Sequence, residues 1–400
     1  MIIHTILYGI DRRVCQMSKL AIVLIGYNRA QAMQGVLNSL QRIDTDRKDL
    51  TLVLSIEGEA TQDVIDVADS FVWNFGEKII VRHEKRLGLR NHFIWVGDQT
   101  ETYENVIFLE DDLYVSPYII DCAEAFIEKY SSDDRIAGAS FYSPLVCEFN
   151  SRRFYQIEDG GDSYFFQHPY WGNLWMRSKW ASFKEWFKTY ERKDEILPTY
   201  VRGWKKTSFK VVYIQYLIES RTYIVYPRIS VVNNMGIAGH HNSKNNVTYQ
   251  VPILTKRRDY NLLDFDDSYA IYDAGFEIIP NVLKRLNPKL EAYDFQVDLQ
   301  KTQDHYTKEY VLTFGKSDKA LLRFNGHMKP YETAIAMDIS GEEIILIKKE
   351  ELAESQSNRS LWFYDFLHNN VVTDRRALYF LQDLSKLLVK NAIKRLHIKK

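Results

Sequence analysis

The chain of 400 residues has only three cysteines, nine prolines and no surplus of either charge. Cys15, Cys122 and Cys147 are odd in number and lack metal-ligand spacing. A disulfide framework or zinc site is therefore not expected; free thiols in a reducing compartment are. Fifty-two basic against 53 acidic residues leave a net charge of −1, which argues against a general nucleic-acid binder. No apolar run approaches the ~20 residues of a membrane span. The mostly apolar first ten residues have no basic segment before them and Asp11-Arg12-Arg13 after them, a poor signal peptide. Residues 1–17 read as an N-terminal extension. Aromatic residues are plentiful, with 26 Tyr, 21 Phe and 8 Trp; rings build cores and also offer flat apolar faces that suit sugars.

A length of 400 residues exceeds one ordinary core, so two domains are expected. Residues 20–25 form an apolar run ending at Gly26-Tyr27-Asn28-Arg29, and 30–41 have helical periodicity through Met33, Val36, Leu37 and Leu40. A second apolar run at 50–56 ends in Glu57-Gly58, with a helix after Thr61. A third strand at 78–81 leads into the basic stretch 82–90 and a helix from Asn91 to about Tyr103. Repeated strand–helix alternation predicts a doubly wound, mostly parallel α/β sheet.

The most informative stretch is 105–117 (NVIFLEDDLYVSP). An unbroken apolar run reads as a strand buried on both faces. Glu110, Asp111 and Asp112 follow without a spacer, and Ser116-Pro117 reads as a helix start. Carboxyl ends of parallel strands are where ligands bind in open α/β sheets. Three adjacent carboxylates repel one another, and a hard divalent cation, Mg2+ or Mn2+, offsets that repulsion while keeping positions open for phosphates. The bland alternative is a solvated acidic turn.

The ordered series Tyr27-Asn28-Arg29, Glu57-Gly58, Gly88-Leu89-Arg90-Asn91-His92 and Glu110-Asp111-Asp112 resembles the nucleotide-sugar-dependent glycosyltransferases of the GT-A fold. It is most similar to the branch containing N-acetylglucosaminyltransferase I and its bacterial family-2-like relatives. The resemblance continues through 170–175 (YWGNLW), 223–227 (YIVYP) and 231–236 (VVNNMG) to Gly239-His240-His241. It implies a GT-A domain over 18–250 and an inverting sugar transfer from a UDP-sugar to a glycan or lipid-linked acceptor. It also implies donor contacts from Arg29, Glu57, Arg90, His92, Glu110 and Asp111, with Asp112 and His240 on the metal. Glu57 stands where the family usually has an Asp that reads the base.

The family's catalytic acid is missing from its usual place, which Tyr213 occupies in this register. Glu219 and Asp162, the latter in the 158–162 loop, are the candidate bases; a surface helix acid is the plainer reading of Glu219. A sugar nucleotidyltransferase and a non-catalytic sugar-binding or scaffold protein remain as alternatives, although the turn at 26–29 is not the Gly-rich phosphate loop of the former. Composition changes near Val251, and 251–400 reads as a small α+β accessory domain with short strands at 309–314, 320–324, 332–337 and 343–348. A last helix at 374–398 places Lys386, Lys390 and Lys394 on one face and Leu381, Leu384 and Leu388 on another. Such a basic amphipathic helix fits peripheral association with an anionic membrane, or docking on the accessory domain. The expected location is cytoplasmic, at the inner membrane face if the helix binds lipid.

Overall fold

The computed structural model describes residues 19–237 and 248–352, together with 382, 385 and 386. His240, the N-terminal extension and nearly all of the expected C-terminal helix lie outside the described residues. Two compact units divide the chain. The first takes the described residues within Met1–Pro144, Glu158–Leu197 and Val201–Ala274; the second takes those within Leu145–Ile157, Pro198–Tyr200 and Gly275–Lys400.

The first unit opens with β1 (Leu20–Gly26), α1 (Ala30–Leu40), β2 (Thr51–Ile56), α2 (Gln62–Ser70), β3 (Lys78–Arg82), α3 (Leu89–Asp98) and β4 (Asn105–Leu109). β1 pairs in parallel with β2 and β4, and β2 with β3. Every residue of β1 and β4 is buried, as strands covered by helices on both faces require. The carboxyl ends of β1, β2 and β4 therefore share one edge of the sheet.

The chain then runs through β5 (Leu113–Val115), α4 (Ile119–Tyr130), β6 (Ile136–Ser140), β7 (Ser163–Phe166), β8 (Asn173–Met176), α5 (Arg177–Phe187), α6 (Thr199–Arg202), α7 (Phe209–Ser220), β9 (Tyr223–Pro227), β10 (Val232–Asn234) and β11 (Ile271–Tyr272). Among the described residues these complete a nine-stranded sheet of order β11-β7-β9-β6-β8-β4-β1-β2-β3. β8 runs antiparallel to both β4 and β6, and β7 antiparallel to β9; the other pairings are parallel. The class is α/β, with a mostly parallel sheet flanked by helices. Aromatic rings fill the layer beside β4: Phe108 stacks on Trp175 at 5.5 Å and meets Phe93 edge-on at 4.5 Å.

Two local expectations change. No helix starts at Ser116-Pro117. β5 comes first, pairing antiparallel with β10, and α4 begins at Ile119. Ser116 Oγ donates to Leu254 O at 2.6 Å and accepts from Tyr118 N–H at 3.2 Å, tying down that short ribbon. Composition shifts near 251, yet the chain leaves the large sheet only after β11 has paired with β7.

The second unit carries α8 (Pro280–Leu286), β12 (Phe295–Asp298), β13 (Tyr310–Phe314), β14 (Leu322–Phe324), α9 (Tyr331–Ala336) and β15 (Ile344–Lys348). Its sheet has the order β12-β13-β15-β14. The expected strand at 332–337 is helix α9, because Tyr331, Ala334 and Ile335 are buried at i, i+3, i+4 spacing rather than in alternation. Arg152 threads this unit, donating to Leu299 O at 2.7 Å and Tyr331 Oη at 3.1 Å, with its guanidinium 5.5 Å from the Phe314 ring centroid.

Candidate functional site

Strand order brings Arg29, Glu57, Glu110, Asp111 and Asp112 to the carboxyl edge of β1, β2 and β4. Arg29 follows β1 and grips the turn after β4. Its Nε donates to Asp111 Oδ2 at 3.2 Å, its Nη1 to Asp112 Oδ2 at 3.0 Å, and its Nη2 pairs with Asp111 Oδ1. One guanidinium thus holds two of the three consecutive acids. Burial first, and then the charges of Asp112 and Asp111, push the Glu110 carboxyl up to about 8 against the pull of Arg29 and Lys210. Burial likewise pushes Asp111 up to about 6, although Arg29 opposes it. Burial is the larger cause of both shifts, and Arg29 offsets only part of it.

The other oxygen of Asp112, Oδ1, is buried and has no hydrogen-bond partner among the described residues. A buried carboxylate oxygen left unsatisfied is costly, so this atom and the acid excess fit a cation. Among the described residues no set of three or more His, Cys, Asp or Glu side chains is arranged to enclose a metal ion by itself. A hard divalent ion at Asp112 would complete its shell with water, phosphate oxygens or residues outside those described, as Mg2+ commonly does. The strand pair ties β10 to the acidic turn: Asn234 pairs with Leu113, and Met235 N–H donates to Asp112 O at 2.9 Å.

Glu57, at the end of β2, is buried and holds the following loop. Its Oε1 accepts from Leu87 N–H at 2.6 Å and Gly58 N–H at 3.1 Å, and its Oε2 from Gly88 N–H at 3.1 Å. The loop lies so close over β2 that a side chain at Gly58 would collide with the backbone of Lys85 and Arg86. Gly88 caps α3 with φ +73°, a left-handed conformation suited to glycine. Arg86 lies 4.7 Å from the Tyr27 ring centroid, joining this loop to the turn after β1.

Behind Glu57, His92 joins two residues that the sequence did not flag, Ser55 and His83. Ser55 Oγ lies 2.7 Å from His92 Nε2 and 2.9 Å from His83 Nε2, while His92 Nδ1 is 3.5 Å from Glu57 Oε2. Burial, offset in part by Glu57, lowers His92 to about 4, so it is neutral at pH 7. A lone serine inside the apolar run 50–56, with a histidine directly after β3, was the available signal. Arg90, at the start of α3, donates through Nη2 to Lys206 O. Lys210, at the start of α7, has its ammonium 4.3 Å from the Tyr170 ring centroid and 5.1 Å from that of Trp204.

The candidate bases are engaged elsewhere. Glu219 ends α7, nine residues from Lys210, about 13 Å along a helix. It accepts from Trp186 Nε1 at 2.7 Å and Gln215 Nε2 at 3.2 Å, and pairs with Lys193 at 2.9 Å. Burial raises its pKa, but these partners hold the net value below the ordinary one. Asp162 pairs with Arg258 and accepts from Asn261 N–H at 2.8 Å, so both its oxygens tie loops together. Tyr213 is buried, its hydroxyl donating to Ala137 O at 3.3 Å, and burial keeps its pKa well above the ordinary value. It is a core residue.

No family model matches the chain. No curated protein matches it. Solved structures do match in part. A mannosyltransferase from Pyrobaculum calidifontis in complex with GDP-Man and Mn2+ is 13% identical, with TM-score 0.30 over 40% of this chain and 45% of that one. Staphylococcus aureus TarS 1–349 in complex with UDP-GlcNAc is 13% identical, with TM-score 0.37 over 67% and 66%. TarS 1–349 alone is 14% identical, with TM-score 0.34 over 52% and 60%. The chain spans less than two thirds of each.

Proposed function

We propose that this chain is a GT-A-type glycosyltransferase, which takes a sugar from a nucleoside diphosphate sugar, a UDP-sugar by preference, and transfers it with inversion to a glycan or lipid-linked acceptor. The observation that carries this reading is the Asp112 carboxylate. It sits at the carboxyl edge of parallel strands, in a run of three acids, with one oxygen fixed by Arg29 and the other buried without a hydrogen-bond partner among the described residues.

Asp112, joined by His240, would hold Mn2+ or Mg2+, which supplies positive charge against a departing diphosphate when bound. The chain's own groups prepare that edge. Arg29 fixes the orientation of Asp111 and Asp112. Glu57, neutral His92 and the backbone of 85–88 form a rigid wall next to it, suited to reading a flat base by hydrogen bonds. Arg86 and Arg90 add fixed cationic groups along the same edge, where preorganised charge acts without reorganisation. Lys210, set over two aromatic rings beside Glu110, supplies another. With Glu219 and Asp162 both committed to structural pairs, the group that accepts the proton of the acceptor hydroxyl is not assigned to either.

Release of nucleoside diphosphate from a panel of UDP-, GDP- and CDP-sugars, with glycan acceptors and Mn2+, tests the reading. Turnover or tight metal-dependent binding of a UDP compound supports it; tighter binding of GDP or CDP overturns the uridine assignment. Binding of every nucleotide equally well in a chelator overturns the metal.

No helix among the described residues is long and apolar enough to cross a membrane. Co-sedimentation of the full chain, and of one lacking 376–400, with anionic liposomes tests the peripheral association expected of the C-terminal helix.

A further inference from the structure

A second recess lies in the first unit, away from the acidic edge. It encloses about 430 Å³ between α5 and α7. Ser178, Ser182 and Trp186 recur every four residues along α5, and Tyr216 and Ser220 do so along α7, so each set forms one stripe on its helix. Thr222 and Ile136, the latter from β6, also line it. Small hydroxyl side chains on facing helices leave the space open where larger ones would fill it.

Its aromatic wall is held in place. Trp186 is half-buried, and its Nε1 is held by Glu219 at 2.7 Å, so the indole is fixed in orientation. Tyr216 and Tyr190 approach it at 5.3 Å with interplanar angles of 54° and 50°, tilted rather than stacked on it. The charged members of the wall cancel: Lys179 Nζ donates to Asp133 O at 2.8 Å and meets Asp134 Oδ1 at 3.4 Å. Ser182 Oγ donates to Ser178 O at 3.1 Å and Ser220 Oγ to Tyr216 O at 2.6 Å, so these hydroxyls face a ligand as acceptors. An indole, acceptor oxygens and no net charge match an uncharged pyranose, which has an apolar face and donating hydroxyls around its rim. A volume of 430 Å³ falls in the range of small-molecule sites.

Topology sets its distance from the acids. β8 is antiparallel to both β4 and β6, so β6 runs in the direction of β4. Ile136 is the first residue of β6, and Thr222 directly precedes β9, the parallel neighbour of β6. The recess therefore lies at the edge opposite Asp112, about 17 Å away for a five-residue strand. One sugar could not occupy both places.

We propose that this recess is a pyranose-binding site that holds an uncharged sugar unit of a glycan remote from the acidic edge. That the glycan is the acceptor rests on the proposed function; that a pyranose binds does not. Saturation-transfer NMR on the full chain, with the methyl glycosides of glucose, galactose, mannose and N-acetylglucosamine, tests it. Expected is binding of at least one probe, weakened tenfold or more by Trp186→Ala and by Ser182→Tyr. The latter fills the recess from an exposed helix position and leaves the core untouched. Asp112→Asn should leave the binding unchanged, and glycoside binding that persists when no nucleotide binds still supports the site. Absence of binding by all four probes, binding that survives both recess variants, or binding abolished by Asp112→Asn overturns it.

Discussion

The acidic edge of the first unit and the small sheet of the second both bury acids, but they satisfy them differently. In the second unit Asp298 accepts at Oδ1 from Thr302 and Gln303 N–H and at Oδ2 from Tyr306 Oη. That carboxylate fastens the loop that follows it. At the acidic edge three acids adjoin in sequence, two of them share one arginine, and Asp112 Oδ1 has no hydrogen-bond partner among the described residues. Like charges side by side with an oxygen to spare are poor fastenings and good ligands. Asp298 holds the fold, whereas the acids of the first unit's edge are the ones we propose bind a cation.

The largest effect expected on that contrast is from Asp112→Asn. It should weaken Mn2+-dependent nucleoside diphosphate binding at least ~100-fold, beyond what loss of an outer-shell partner does, with little change in melting temperature; calorimetric titration measures it. Arg29→Ala should cost about 2 kcal/mol in denaturant unfolding, because Asp111 and Asp112 would lose their shared counter-charge in a part-buried place. Arg29→Lys should restore only part, since a single ammonium cannot span both carboxylates.

His92 makes the first unit sensitive to acid. Its folded value of about 4 lies below the ordinary 6.5, so between those values the unfolded chain binds a proton that the folded one does not. The stabilisation is present above pH 6.5 and is lost as pH falls towards 4, by at most about 3 kcal/mol. His92→Gln should flatten that part of the pH–stability curve.

Glu332 sharpens the comparison from the other side. Burial raises its carboxyl from 4.5 to about 7, so its contribution is complete below pH 4.5 and is lost as pH rises through 7. Glu332→Gln should make the second unit more stable at pH 8 by about 1–3 kcal/mol and change little at pH 4. The smallest effect belongs to the exposed pair Lys188 and Glu185; Lys188→Ala should shift stability by less than about 0.5 kcal/mol.

The strands and helices up to β4 were legible because buried parallel strands are continuous apolar runs and their helices have clear periodicity. Arg29, Glu57 and the acids were legible because strand ends are where such a sheet gathers polar groups. Ser55 and His83 were not, since their meeting with His92 depends on the register of β2 against β3. Nor was β5, three residues whose pairing partner, β10, lies more than a hundred positions away. Helix α9 was misread because six residues carry too little periodicity to separate a helix from a strand. The commitment of Glu219 and Asp162 to Lys193, Trp186, Arg258 and Asn261 is long-range chemistry that no local pattern reveals.

The most direct measurement is a crystal of the full chain soaked with Mn2+ and UDP, read at the manganese absorption edge. The account predicts an anomalous peak within coordinating distance of Asp112 Oδ1, with the diphosphate on it and the base against the wall of Glu57 and 85–88. A peak elsewhere, or a nucleotide bound with no metal beside Asp112, would contradict it.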